Sequence, residues 1–159
     1  MSVSKQLAGL VVCLAVVFAA GAVGIPFTTH ATATWYQDIA KPAWTPPDGV
    51  FAPVWTVLYL LMAVAAWLVW RRGGFAANRL ALSLFVVQLA LNAAWTVIFF
   101  GARLFGVASV EIALLWCAIL LCTLMLRRVQ PFSVWLMLPY LLWVGFASVL
   151  NVSIWWLNR

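Results

Sequence analysis

Residues 35–55, WYQDIAKPAWTPPDGVFAPVW, hold the densest set of groups able to recognise a ligand. Trp35, Tyr36, Trp44, Phe51 and Trp55 supply aromatic faces, which give a planar apolar molecule both buried area and stacking. Prolines, among them Pro42, Pro46 and Pro47, alternate with these rings. Lys41 is held extended before Pro42, and Pro46-Pro47 favours a polyproline conformation, so the rings sit on a chain with little entropy left to lose. These features fit a capping loop over a pocket. The aromatic residues fit an interfacial belt at headgroup depth as well.

Outside this stretch the candidates are few. Gln88, Asn92, Trp95 and Phe99 recur at helical spacing and share one face. Two amides at hydrocarbon depth must face the interior, a partner or a cavity, although an interhelical hydrogen bond would satisfy Gln88 equally well. Trp55, Tyr59, Met62 and Ala66 form a second stripe; Trp143, Ala147, Leu150 and Ile154 form a third, with Asn151 one turn on from Ala147. Glu111 is the only acid expected inside a helix, where an ionisable group is a functional candidate, or else a carboxylate near the interface. His30, the sole histidine, falls in a linker; it could ligate a haem iron but reads more simply as solvated. Cys13, Cys117 and Cys122 lie within apolar runs with no metal-ligand spacing, and read as small packing residues.

The elements that must position these groups are membrane helices. The 159 residues are 67% hydrophobic and 8% charged, with a mean hydropathy of +1.11, far from the composition of a soluble domain. Nine Lys and Arg against three acids give a net charge of +6. These cations lie between apolar runs, so they indicate topology and headgroup contact rather than nucleic-acid binding. Five segments, at about residues 7–25, 51–70, 80–100, 105–126 and 133–157, reach the length that spans a hydrocarbon core of about 30 Å. Lipid cannot satisfy free backbone groups, so each should be a helix. The expected architecture is an all-α membrane protein: a single five-helix domain with a long structured loop at about 28–50. The first segment is long for a signal-peptide core and reads as a retained helix. Pro53 is expected in a first helical turn, Ser133 as an N-cap, and Pro139 at a kink.

Lys5, Arg71, Arg72, Arg79, Arg127 and Arg128 fall on one side of such a bundle, and Lys41, Arg103 and Arg159 on the other. For a bacterial cell membrane the positive-inside rule then puts the N-terminus inside and the long loop outside.

The strings WYQDIAKPAWTPP, FAPVWTVLYLLMAVAAWLVW, QLALNAAWTVIFFG and PYLLWVGFASVLNVSIWWLN follow one another within residues 26–158. Together they resemble the translocator protein family, also called tryptophan-rich sensory proteins or peripheral benzodiazepine receptors. The resemblance implies a five-helix membrane bundle, often dimeric, that binds porphyrins and haem and, in various members, cholesterol and synthetic benzodiazepine-site ligands. It places Asn92 at the ligand cavity, Trp143 and Ala147 of the PYxxWxxxA string in its wall, and the first loop across its mouth.

The expected site therefore comprises Trp35, Tyr36, Trp44, Pro46, Phe51, Trp55, Asn92, Trp95, Trp143, Ala147 and Leu150. The expected function is binding of protoporphyrin, haem or related flat hydrophobic ligands for transport, sensing or scavenging. No cofactor is required, and the tetrapyrrole enters as ligand. Two alternatives are an enzyme of light-dependent porphyrin degradation and a structural or regulatory subunit of a membrane complex. The expected partners are the bilayer, a second copy of the chain and a sterol. The forward sterol pattern is missing from the last segment, where Tyr140 has no Lys or Arg within five residues.

Overall fold

The apolar runs fold into helices that close on one another as a ring. A computed structural model describes residues 2–159. Its helices are α1 (Val3–Ala22), α2 (Ile25–Ala33), α3 (Asp48–Trp70), α4 (Gly74–Ala77), α5 (Arg79–Thr96), α6 (Phe105–Val129) and α7 (Ser133–Leu157). A 3-10 turn occupies Trp35–Gln37, and a π-helical segment, Val97–Gly101, extends α5. Five spans are long and apolar enough to cross a membrane: Val3–Ala33, Asp48–Trp70, Arg79–Gly101, Phe105–Val129 and Ser133–Leu157. The chain is a multi-pass membrane protein.

Around the ring α1 packs on α3, α3 on α7, α7 on α6, α6 on α5, and α5 back on α1. Inside lie Val17, Met62, Phe85, Leu115, Met137 and Tyr140, all 5% exposed or less. Glycine lets α1 come close. A Cβ on Gly21 would collide with the Tyr59 ring, and one on Gly24 would lie 2.6 Å from the Thr96 methyl. Gly21 thus seats α1 against α3, and Gly24 seats the start of α2 against α5, the use of small residues that helix contact in lipid demands.

Several expected boundaries move. The first segment does not lead into a loop at residue 28: after a turn at Val23–Gly24 the chain resumes as α2, with Pro26 in its first turn where a missing N–H is harmless. His30 therefore lies on an exposed helical surface, not in a linker. The threonines that make this stretch look polar donate to their own helix: Thr28 to Gly24, Thr29 to Ile25 and Thr32 to Thr28. Within the expected loop, irregular chain is confined to Thr34 and residues 38–47. α3 starts at Asp48, an acid favoured by the positive end of the helix dipole, so Pro53 lies beyond the first turn. Ser133 is the first residue of α7, not its N-cap, and its buried hydroxyl has no partner. α7 continues through Pro139 as one helix.

Candidate functional site

At the loop end the ring of helices leaves a cavity of about 550 Å3. α1, α2, α3, the α5–π segment and α7 all line it, and α6 does not. Of the expected residues, Tyr36, Phe51, Trp55, Trp95, Trp143, Ala147 and Leu150 line this cavity. Trp35, Trp44, Pro46 and Asn92 do not.

The walls are aromatic because three helices project their stripes into one space. From α3, Trp55 tilts over Tyr59 with ring centroids 5.4 Å apart, and Phe51 meets Trp143 of α7 edge to face at 5.9 Å. From α5, Trp95 stacks on Phe99 at 5.3 Å. The π segment places Phe99 and Phe100 at the same wall, and its widened turn is closed by Ala102 N–H donating to Val97 C=O at 2.9 Å. Ala147, one turn beyond Trp143, contributes only a methyl group, leaving the space beside the indole open.

A chain of neutral hydrogen bonds forms the floor. The Tyr59 hydroxyl, at the cavity surface, donates to Asn92 Oδ1 at 3.1 Å; Asn92 Nδ2 donates to the Tyr140 hydroxyl at 3.2 Å. Tyr140 in turn donates to Gln88 Oε1 at 2.9 Å. Asn92 therefore stands one side chain behind the cavity and holds Tyr59 in place. Gln88 is interhelical glue, the plainer of its two readings.

Asn151 joins the site although its partners could not be read from sequence. Its Oδ1 accepts from Trp95 Nε1 at 2.9 Å, and its Nδ2 donates to Ser109 Oγ at 2.8 Å and to the Phe105 carbonyl at 3.0 Å. One amide thereby fixes the orientation of a cavity tryptophan and ties α7 to α6. The threonine face of α2 was missed too: Thr28, Thr29 and Thr32 all line the cavity. Their i, i+4 spacing from Gly24 was the available signal. Because each hydroxyl donates backward, they offer methyl groups and acceptors, not free donors, to a guest.

Residues 35–47 close the end. Tyr36 reaches the cavity and is only 4% exposed. Burial first, then the nearby Asp48 carboxylate, pushes its phenol up to about 12, so it is neutral at physiological pH. Lys41 Nζ donates to the Tyr36 carbonyl at 2.7 Å and lies 4.4 Å from the centre of the Tyr36 ring. Gln37 bonds to Asp48 at 2.6 Å, tying the turn to α3. At the far end, the Asn158 side chain accepts from Ala40 N–H at 3.0 Å and donates to Ala40 C=O at 2.8 Å. This two-point latch joins the loop to the end of α7.

The other loop aromatics pack outside the cavity. Trp35 lies against Phe105 and beneath the Arg103 guanidinium, and the half-exposed Trp44 meets Phe146 edge to face at 5.8 Å. They brace the closure. Glu111 is buried on α6 with no hydrogen-bond partner on either oxygen, and it does not line the cavity. Among the described residues no group of three or more His, Cys, Asp or Glu could hold a metal ion, and the three cysteines are free.

Comparison with known proteins agrees with this architecture. A model of the TspO/MBR family matches residues 12–157. The chain is 38% identical to the tryptophan-rich protein TspO of Chlorobaculum tepidum, over 98% of this chain and 99% of the relative. It is 41% identical to the human translocator protein, over 84% of this chain and 80% of the relative. To the tryptophan-rich sensory protein of Cereibacter sphaeroides it is 34% identical, over 86% and 87% respectively.

Proposed function

This chain belongs to the TspO/MBR family, and we propose that it binds tetrapyrroles such as protoporphyrin and haem, and related flat hydrophobic molecules, as a step in their transport, sensing or scavenging. The observation that carries this reading is the cavity of about 550 Å3 whose walls are Trp55, Trp95, Phe99 and Trp143, with Tyr36 above and Tyr59 below. Concave, mostly apolar sites with a few fixed polar groups suit small planar ligands. Edge and face contacts with the rings add to the gain from area.

The chemistry of the guest sets its orientation. Carboxylates are costly at hydrocarbon depth, so the propionates of a porphyrin stay at the loop end, where Lys41 and Arg103 lie over the rings of Tyr36 and Trp35. Among the described residues no lining side chain is His, Cys or Met, and neither lining phenol is free as a phenolate ligand: the Tyr59 hydroxyl donates to Asn92, and Tyr36 stays protonated at physiological pH. A haem is therefore held by its ring, and the site does not discriminate strongly between iron-bearing and free porphyrin. In a bacterial cell membrane the positive-inside rule would put the side rich in Lys and Arg, opposite the loop, inside.

Titration of detergent-purified protein with protoporphyrin, haem and cholesterol tests the proposal. Saturable quenching of tryptophan emission by both tetrapyrroles is expected, with porphyrin absorbance unchanged after illumination. Absence of saturation would overturn the reading, and light-dependent loss of porphyrin would assign a degrading activity instead.

The latch carries its own prediction. Asn158→Ala removes both hydrogen bonds to Ala40, a loss of about 1.4 kcal/mol for two exposed bonds. Protoporphyrin should then dissociate about tenfold faster, measured by stopped-flow chase with apoprotein acceptor. An unchanged rate would mean that residues 35–47 do not retain the ligand.

A further inference from the structure

A second concavity lies outside the cavity. Between α3 and α7 a groove of about 590 Å3 is bordered by Pro53, Val57, Pro139, Leu142, Trp143 and Phe146. It faces away from the bundle: Val57 is 53% exposed and Leu142 65%, and both prolines are exposed. Among the described residues Trp143 alone lines both the groove and the cavity. Its indole N–H is buried and has no acceptor. The ring is thus a partition between two spaces, and no hydrogen bond holds it there.

In a bilayer this groove meets hydrocarbon. The indole nitrogen is the only polar side-chain atom in its lining, and that atom is buried, so nothing there anchors a headgroup or a peptide. A second transmembrane helix fits poorly as well. Close helix contact in lipid uses small residues, and this rim is built from proline, valine, leucine and phenylalanine. A flexible chain of methylenes can fill the space and recover the dispersion contacts that an empty groove forfeits.

We propose that the α3–α7 groove is a binding site for an acyl chain of a bilayer lipid, and that the chain braces Trp143 as the wall it shares with the cavity. Lipid in the groove then sets the affinity of the cavity for its ligand; this second half rests on the tetrapyrrole reading given above.

Brominated lipid tests the site without any tetrapyrrole. The protein is placed in bilayers of dioleoyl or dibromostearoyl phosphatidylcholine, and the contribution of Trp143 to emission is taken as the difference from Trp143→Phe. Bromine should quench that contribution. Val57→Phe and Leu142→Phe, which fill the groove from exposed positions, should each restore it at least about twofold. Leu60→Phe, on the lipid-facing surface of α3 outside the groove, should not. No quenching of Trp143, or equal quenching in all three variants, overturns the site.

Coupling is read separately in diphytanoyl lipid, whose methyl-branched chains are bulkier than an oleoyl chain and cannot pack along the groove in the same way. Wild type should bind protoporphyrin about fivefold more weakly there than in dioleoyl lipid, at the lower end of ordinary coupling energies, while Val57→Phe should not distinguish the two. The same lipid dependence in both proteins, or none in either, overturns the coupling. If neither binds protoporphyrin in any bilayer, the tetrapyrrole reading fails and the coupling with it, while the bromine result still decides the groove.

Discussion

Ala147→Phe is expected to weaken protoporphyrin binding at least about 100-fold, equivalent to about 2.7 kcal/mol, while leaving the bundle folded. Ala147 lines the cavity between Trp143, one turn earlier, and Leu150 and Asn151 beyond it. A phenyl group at this point enters space that the protein itself does not fill. Overpacking of a dense core costs about 1–3 kcal/mol, but here the added ring displaces the guest rather than a neighbouring side chain. Fluorescence titration gives the affinity, and a thermal melt in the same detergent gives the stability. Normal affinity in this variant would place the ligand elsewhere, whatever its affinity for the parent protein.

Asn92→Leu should act in the opposite sense, with a large effect on stability and a smaller one on binding. The substitution removes the acceptor for Tyr59 and the donor to Tyr140, both inside the bundle. Hydrogen bonds between membrane helices average about 0.6 kcal/mol, and a buried group left without a partner costs about 1–3 kcal/mol. The sum points to a loss of about 2 kcal/mol, read from unfolding in mixed detergent. Tyr59, no longer held from behind, remains in the cavity wall, so affinity should fall about tenfold. Tyr59→Phe combined with Asn92→Leu should cost less than the two changes added together, because they remove the same bond. Full additivity would show that the bond contributes nothing.

The sequence carries the helical stripes and the spans because both are local patterns. Trp55 and Tyr59, Trp95 and Phe99, and Trp143 and Ala147 are each separated by four residues, and the structure gathers all six at one cavity. The paired arginines at 71–72 and 127–128 mark where α3 and α6 stop. α2 was hidden because IPFTTHATA reads as a polar linker, although its threonines satisfy themselves on the helix backbone and make it compatible with lipid.

Long-range partners were hidden for a different reason. Asn158 and Ala40 are 118 positions apart, and Asn151 meets Trp95 across 56. No periodicity relates such pairs; only the closed ring of helices brings them together. Aromatic composition also could not sort the loop. Tyr36 turns inward, while Trp35 and Trp44 pack around the closure, a distinction set by the 3-10 turn at Trp35–Gln37 and the latch at Ala40.

The most direct test of the central claim is to locate the bound ligand covalently. A protoporphyrin carrying a diazirine is bound to the protein in nanodiscs, photolysed, and the labelled peptides are mapped by mass spectrometry. Labels are expected on α2, on the first half of α3, on the Trp95–Phe100 region and on α7 between Trp143 and Ile154, and unlabelled porphyrin should suppress them. α6 is the internal control, since residues Phe105–Val129 contribute nothing to the cavity lining. Labelling concentrated on α6, or labelling that competitor does not reduce, would contradict a tetrapyrrole site inside the bundle.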